Sequence, residues 1–495
     1  MMQRIRSFIP RMEYVLLAVL FWGICAMGPK LLNFDGDLPR HLLVGRLIRE
    51  TRSAPLTDTF SFRTVGFPSF PHEWLSQVIL SVANDLLGLS GVVILTALIV
   101  TAAWAIVYRE ANRRTDNLFI TLIVTAIGIG VSMIHVLPRP HIFTYLFTAL
   151  WIVILERIYQ DKPRLWWLLP LVMLLWVNMH GMFILGIIIG GIYLAGSFFD
   201  NPSRAWFMQA TTRSMLLGGI TSLFTTFLSP SGIKIWGAIA SLGSNAYITS
   251  RIPEYQSANF HLPETWPFLL LLALTIIGLG RSQNKIAWRY VLLAASFAVI
   301  AIYTSRMLPL FAIVAVPITA SALGEWVNSE FPTSRFRTME KNIGQINASS
   351  NGAIWLAVIL ITVILIFRSG KTMDAQNKGN VFDEGFFPVQ AVNWLNTHPQ
   401  QGHMFNEFDW GGYLLLKLVP PQQIFMDGHT HIYGEALTRE YETVITLGND
   451  WQKILDKYQV QWAIVRMNSP IAHALEDIHW KILYQDNTTI ILHKP

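Results

Sequence analysis

The chain predicts a polytopic α-helical membrane protein of about eleven transmembrane helices, ending in a C-terminal extracytoplasmic α/β domain. Three observations lead there. Of 495 residues, 52% are hydrophobic and 14% charged, where a soluble domain carries about 25% charged residues. Apolar runs near the roughly 20 residues needed to cross a bilayer recur from residue 14 to residue 367. Beyond residue 368 they stop, and short β-rich runs alternate with helix-like segments, the pattern of a small α/β domain.

The first run, 14–32, follows a segment carrying Arg4, Arg6 and Arg11. It is long for a signal-peptide core and shows no small-residue cleavage pattern, so it is expected to remain as a first transmembrane helix. Ten more spans are expected at 91–108, 118–136, 142–158, 165–177, 182–199, 215–228, 266–280, 288–303, 307–323 and 354–367. The stretch 73–87 is a twelfth candidate, interrupted by Asn84 and Asp85.

Loop charge decides between eleven and twelve. With 73–87 interfacial or re-entrant, the clusters around Arg113, Lys162, Arg204, Lys285 and Arg337 all share a side with the arginine-rich N-terminus. Cytoplasmic loops carry such an excess of Lys and Arg. The N-terminus is therefore expected in the cytoplasm of a cell whose inner (plasma) membrane holds the protein. The expected division is a transmembrane domain at 1–368, with a long first outer loop at 33–90, and an extracytoplasmic domain at 369–495. All thirteen histidines then fall at or beyond the outer face. The net charge of +6 belongs to the inner loops, so no nucleic acid is expected as a partner. The lone Cys25 excludes an intrachain disulfide framework.

In the tail, helices are expected at 388–396 and 451–458, and β-rich runs at 423–426, 462–466, 481–484 and 488–493. Linkers are expected at 349–352 and 369–380. There is no GxxxxGK[ST] loop, dinucleotide fingerprint, HExxH or GxSxG elbow, so nucleotide-driven transport and zinc peptidase chemistry have no support.

Candidate functional residues gather on the outer side. The first outer loop opens with Asp35-Gly36-Asp37 and His41. Asp37 and His41, four apart, share a face if a helix starts near Leu38; Asp37 equally suits a helix cap. The loop ends at His72 and Glu73. Arg139 and His141 follow the third span. Asn178 and His180 sit near membrane depth, where polar groups are costly and are either functional or tie helices together. Arg251 and Glu254 follow the seventh span, and Arg306 lies between the ninth and tenth. Arginines converging with carboxylates and histidines suit a phosphate-bearing ligand, which Arg binds through two parallel hydrogen bonds. In the tail, Asp427, His429 and His431 would share one face of an extended chain. They are metal-ligand types, though a polar turn explains them as well.

The order of motifs resembles the GT-C class of integral membrane glycosyltransferases, most of all an uncharacterised bacterial branch. The motifs are D-x-D with a following histidine (Asp35, Asp37, His41), P-x-x-D-x-F-S (Pro55, Asp58, Phe60, Ser61) and HEWL (His72 to Leu75). RPH (Arg139 to His141), W-x-N-x-HG (Trp176 to Gly181), DWGGYL (Asp409 to Leu414) and DG…YG (Asp427 to Gly434) follow. The resemblance implies a GT-C-like fold and transfer of a sugar from a polyprenyl-phosphate carrier to an extracytoplasmic glycan, lipid or protein acceptor. It implies an acidic residue after the first helix as base or as metal or acceptor ligand, a role that falls on Asp37, with Asp35 second. Arg139, Arg251 or Arg306 would meet the leaving phosphate. Asp37, Asp58 and Glu73, with His41 or His72, would hold a divalent cation, Mg or Mn. Alternatives stay open: a lipid-linked glycan flippase or transporter, a polysaccharide ligase or polymerase, and an assembly protein. A flippase would spread polar groups through the bilayer midplane, whereas here they concentrate at one face.

Overall fold

The computed structural model describes residues 8–34, 36–160, 162–331, 335–371 and 379–495. Asp35 and residues 372–378 of the expected second linker lie outside them. The membrane part contains α1 (Met12–Ala26), α2 (Asp37–Thr51), α3 (Trp74–Leu87), α4 (Leu89–Arg114), α5 (Leu118–Ser132), α6 (His141–Tyr159) and α7 (Leu168–Met179). It continues with α8 (Ile184–Asp200), α9 (Ala210–Thr225), α10 (Trp266–Arg281), α11 (Trp288–Tyr303), α12 (Leu308–Glu330) and α13 (Ile354–Arg368).

Each of the eleven expected spans coincides with a helix. Among the described residues, six helical stretches are long and apolar enough to cross a membrane. The pair Arg337–Ser349 and Ile354–Arg368, bent by 69°, makes a seventh if it is one span, and four apolar helices are shorter. The chain is a multi-pass membrane protein. The run expected at 14–32 is split, because Pro29, near the start of the short helix Gly28–Leu32, has no N–H to continue the hydrogen-bond ladder of α1. Helix α12 is buried along most of its length and packs against α4, α5, α10 and α11. Helix α3 lies along α2 as a hairpin, where its Asp85 pairs with Arg49.

The C-terminal part holds α14 (Val389–Thr397), β1 (His403–Asn406), α15 (Gly411–Lys417), α16 (Thr430–Ile445) and α17 (Trp451–Lys457), then β2 (Val460–Arg466), α18 (Pro470–Asp477), β3 (Lys481–Gln485) and β4 (Thr489–His493). Its sheet runs β1-β2-β4-β3. β1 is parallel to β2, and β4 is antiparallel to both β2 and β3. Alternation along the strands sends Trp462, Ile464 and Ile491 to one core with Ala391, Leu395 and Leu414. Ala463, Val465 and Ile490 face another with Val444, Leu455 and Ile471.

Two expectations for the tail are corrected. Residues 423–426 are not a strand of this sheet. Ile424 makes only an isolated bridge with Ser61, and the Phe425 amide donates to Asn406 Oδ1 at 2.8 Å, so a side chain stands where a strand partner would be. The parallel strand β1 was not expected; its four residues are too short a run to show an alternating pattern.

The first long loop is sewn to this C-terminal part. The Ile424 amide donates to the Phe60 carbonyl at 3.0 Å. Arg63 donates to the Leu437 carbonyl and to Glu440 at 2.8 and 2.9 Å, and lies 4.1 Å above the Phe425 ring.

Candidate active site

Helix α2 begins at Asp37 itself, with Gly36 in the cap position and no side chain capping it. The cap reading for Asp37 is therefore replaced: its Oδ2 lies 3.2 Å from Arg139 Nη1. The C-terminal part backs this carboxylate. A Cβ on Gly428 would stand 1.9 Å from Asp37 Oδ1, so only glycine allows the approach. Gly412 of the DWGGYL motif plays a similar part, since a Cβ there would meet the Gly36 carbonyl at 2.8 Å. That motif serves packing.

Arg139 joins Asp37 to a second carboxylate. Its Nη1 donates to Glu254 Oε1 at 3.1 Å. Glu254 sits on the turn Pro253–Tyr255, whose backbone is fixed because Thr304 and Ser305 hydroxyls donate to the Glu254 carbonyl at 2.8 and 3.2 Å. Arg306 donates to the Tyr255 hydroxyl at 2.8 Å and places Nη2 3.8 Å from Glu254 Oε2.

A second group surrounds Glu73. His72 Nε2 and His180 Nε2 each lie 3.8 Å from Glu73 Oε1, and His41 Nδ1 lies 4.0 Å from Oε2. His72 Nδ1 donates to the Phe70 carbonyl at 2.8 Å, which fixes the ring with Nε2 toward the carboxylate. A third group is built on Arg40, one turn after Asp37. It pairs with Asp427, bonds His429 Nδ1 at 2.8 Å and comes within 3.6 Å of Asp58.

These groups open on one cavity of about 390 Å³. Asp37, His41, His72, Glu73 and Arg139 line it, as do His141, His180, Glu254 and Arg306. Its other wall is apolar, with Met182, Ile184, Ile239, Ile252, Ile300 and Met307. A charged end beside an apolar wall suits a ligand that is itself amphiphilic.

The remaining expected residues lie elsewhere. Asn178 ties two helices, accepting from Trp74 Nε1 at 2.6 Å and donating to the Leu174 carbonyl at 2.8 Å. Arg251 is 43% exposed and pairs with Glu442 against the Tyr247 ring. Asp58 is buried and accepts from Thr64 Oγ1 at 2.6 Å and from the Ser61 amide at 3.3 Å. It braces the loop instead of facing the cavity.

Asp37, Asp58 and Glu73, expected to hold a divalent cation, do not converge: among the described residues no three His, Cys, Asp or Glu side chains are grouped as metal ligands. Asp37 faces Arg139, and Asp58 accepts from Thr64 beside Arg40. The tail trio does not converge either: Asp427 turns to Arg40 and accepts from the His429 amide at 3.1 Å.

Electrostatics divide the site. Burial disfavours the Asp37 carboxylate, yet Arg139, His41, Arg40 and Arg306 hold it below the usual carboxylate range. Glu254 is likewise held low against burial by Arg139, His135 and Arg306. Burial pushes Asp427 up despite Arg40. Burial drives His429 well below the usual imidazole value and, with His72 and Arg40, pushes His431 down to about 3. Both imidazoles are therefore neutral.

No family model matches the chain, and no curated protein matches it in sequence. Solved structures do match in fold. The archaeal oligosaccharyltransferase AglB from Archaeoglobus fulgidus, in complex with an inhibitory peptide and a dolichol-phosphate, aligns at a TM-score of 0.60 and 13% identity, over 92% of this chain and 69% of its own. The Archaeoglobus fulgidus oligosaccharyltransferase tethered with an acceptor peptide aligns at 0.58 and 12%, over 98% and 74%. ArnT from Cupriavidus metallidurans, bound to undecaprenyl phosphate, aligns at 0.50 and 12%, over 97% of each chain.

The chain has the GT-C fold. Within this GT-C fold, the cavity lies where the first long loop, the helix ends and the C-terminal part meet. Among the cavity residues not expected as site residues are Arg40, Gln77 and Tyr255. Arg40 had a visible signal, standing one turn beyond Asp37 on the same helix. Gln77, which bonds His41 Nδ1 at 3.2 Å, and Tyr255, which accepts from Arg306, had none, because these contacts join distant segments.

Proposed function

We propose that this protein is a glycosyltransferase that moves a sugar from a polyprenyl-phosphate carrier to a hydroxyl-bearing acceptor on the extracytoplasmic side, with its N-terminus in the cytoplasm. The observation that carries the reading is the Asp37–Arg139–Glu254–Arg306 cluster at the charged end of a cavity with an apolar wall. The dolichol-phosphate and undecaprenyl phosphate held by two proteins of like fold support that ligand class.

In this reading the lipid tail follows the apolar wall and the phosphate meets Arg139 and Arg306. The acceptor hydroxyl donates to the Asp37 carboxylate, which orients it toward the anomeric carbon. The acceptor oxygen forms a bond to that carbon as the bond to the phosphate oxygen breaks. The hydroxyl proton passes to Asp37, and the two guanidiniums take up the charge developing on the leaving polyprenyl phosphate. Asp35 is the second candidate for the same role. In the same reading Glu73, with His41, His72 and His180 around it, binds sugar hydroxyls.

The test is release of undecaprenyl phosphate from an undecaprenyl-phosphate sugar by purified protein in lipid, supplied with a cell-envelope extract as the source of acceptor hydroxyls, with wild type against Arg306→Gln. The reading expects release by wild type and a fall on the order of 10²-fold or more in the variant, the scale for losing one charge-stabilising donor. No release from any such donor, or equal release by the variant, contradicts it.

A further inference from the structure

We propose that Glu254 competes with the donor's phosphate for Arg139 and Arg306, and that an incoming phosphodiester exchanges with it on these two guanidiniums. This rests on the transferase reading above and adds the event by which the donor is accepted.

Four observations carry it. The two Glu254 carboxylate oxygens meet the two guanidiniums separately, Oε1 with Arg139 at 3.1 Å and Oε2 with Arg306 at 3.8 Å. A phosphodiester also presents two oxygens and one negative charge, so the exchange is one for one in both respects. The Glu254 backbone is held by Thr304 and Ser305, so the carboxylate can withdraw by side-chain rotation alone while the turn stays in place. The fourth observation is a landing point. His135 is only 7% exposed, and its Nε2 has no hydrogen-bond partner among the described residues. It lies 3.8 Å from Glu254 Oε2, within reach of the carboxylate after a side-chain rotation.

Local charge favours exchange over addition. Asp37, Glu254 and Glu73 already share the cavity with Arg139 and Arg306, so a further anion beside the two arginines would be an uncompensated buried charge, which is strongly unfavourable. Withdrawal of Glu254 takes one anion away from the two guanidiniums as the phosphodiester arrives. The exchange also affects Asp37, because Arg139 shares Nη1 between it and Glu254. A phosphate that draws Arg139 away leaves the Asp37 carboxylate freer to accept the acceptor's proton, so donor arrival would prepare the base.

The alternative is that Glu254 merely holds the two arginines in position, and the two ideas differ in sign. The experiment measures binding of undecaprenyl phosphate to the purified full-length protein in lipid nanodiscs, for wild type and Glu254→Gln. If Glu254 competes for the site, the variant binds more tightly, on the order of tenfold, the usual scale of coupling between two ligands of one site. Binding that is unchanged or weaker overturns the proposal. Should Glu254→Gln fail to fold, Glu254→Asp carries the same test: its shorter side chain withdraws from the arginines, and tighter binding is again required. Wild type that fails to bind undecaprenyl phosphate at all sinks the transferase reading itself, whereas wild-type binding with no gain in either variant sinks only this exchange.

Discussion

The Arg40 guanidinium and the Asp427 carboxylate pair across the seam between the first long loop and the C-terminal part, with side-chain exposures of 9% and 1%. Removing one partner of a buried pair leaves the other charge uncompensated and costs about 3–5 kcal/mol. Arg40→Met should therefore lower the thermal midpoint of the purified protein sharply. The double change Arg40→Met with Asp427→Leu should recover much of the loss, because both charges are then gone. A double variant as unstable as the single one would show that the pair is not what joins the two parts.

Gly428 makes a separate prediction about geometry. Its missing side chain is the space that Asp37 uses. Gly428→Ala should displace the carboxylate while leaving the fold intact, and misplacement by about 1 Å can cost about 10²-fold in rate. Transfer activity should fall by that order with the thermal midpoint little changed. Normal activity would mean that Asp37 need not lie where the structure holds it.

The partly buried histidines of the C-terminal part set a direction for pH. His431 titrates at about 3 in the folded protein, against about 6.5 for a free imidazole. Between those values the unfolded chain binds more protons than the folded one, so stability rises with pH across that window. It is fully present above about 6.5 and is lost as pH falls toward 3. Thermal midpoints measured from pH 7 down to 4 should drop less steeply in His431→Gln than in wild type. Parallel profiles would contradict the neutral imidazole.

Arg251 and Arg306 look alike as sequence but are placed differently. Arg251 is half-exposed and pairs with Glu442, a setting in which an ion pair is worth about 0–1 kcal/mol. Arg251→Gln should keep transfer within about twofold of wild type, the kinetic equivalent of less than 1 kcal/mol. A large loss would return Arg251 to the site.

Much of the fold was legible because bilayer physics leaves long apolar runs that composition reveals. Every expected span lies on a helix, and strands β2, β3 and β4 overlap expected β-rich runs. The site was legible where polar residues interrupt apolar sequence, as at Asp37, His72, Glu73, Arg139, His180, Glu254 and Arg306. It was illegible where one side chain has two uses. Asn178 left two readings open, and the tie between helices is the one the structure holds, through a neighbouring indole. Asp58 suits a ligand by type, yet it satisfies a loop backbone. Asp427 suits a metal or a polar turn, yet its partner is an arginine 387 positions away in sequence. Such pairings depend on long-range contacts that local spacing does not encode.

The most direct test compares turnover of Asp37→Asn and Asp35→Asn with wild type, using purified protein, an undecaprenyl-phosphate sugar and a cell-envelope extract as the source of acceptor. Asparagine keeps the shape and removes the carboxylate. Loss of a positioned base costs about 10²–10⁴-fold, and the account predicts a loss of that size in Asp37→Asn. Undiminished turnover in Asp37→Asn would contradict the role given to Asp37, and undiminished turnover in both variants would contradict an acidic group of this loop as the catalytic base.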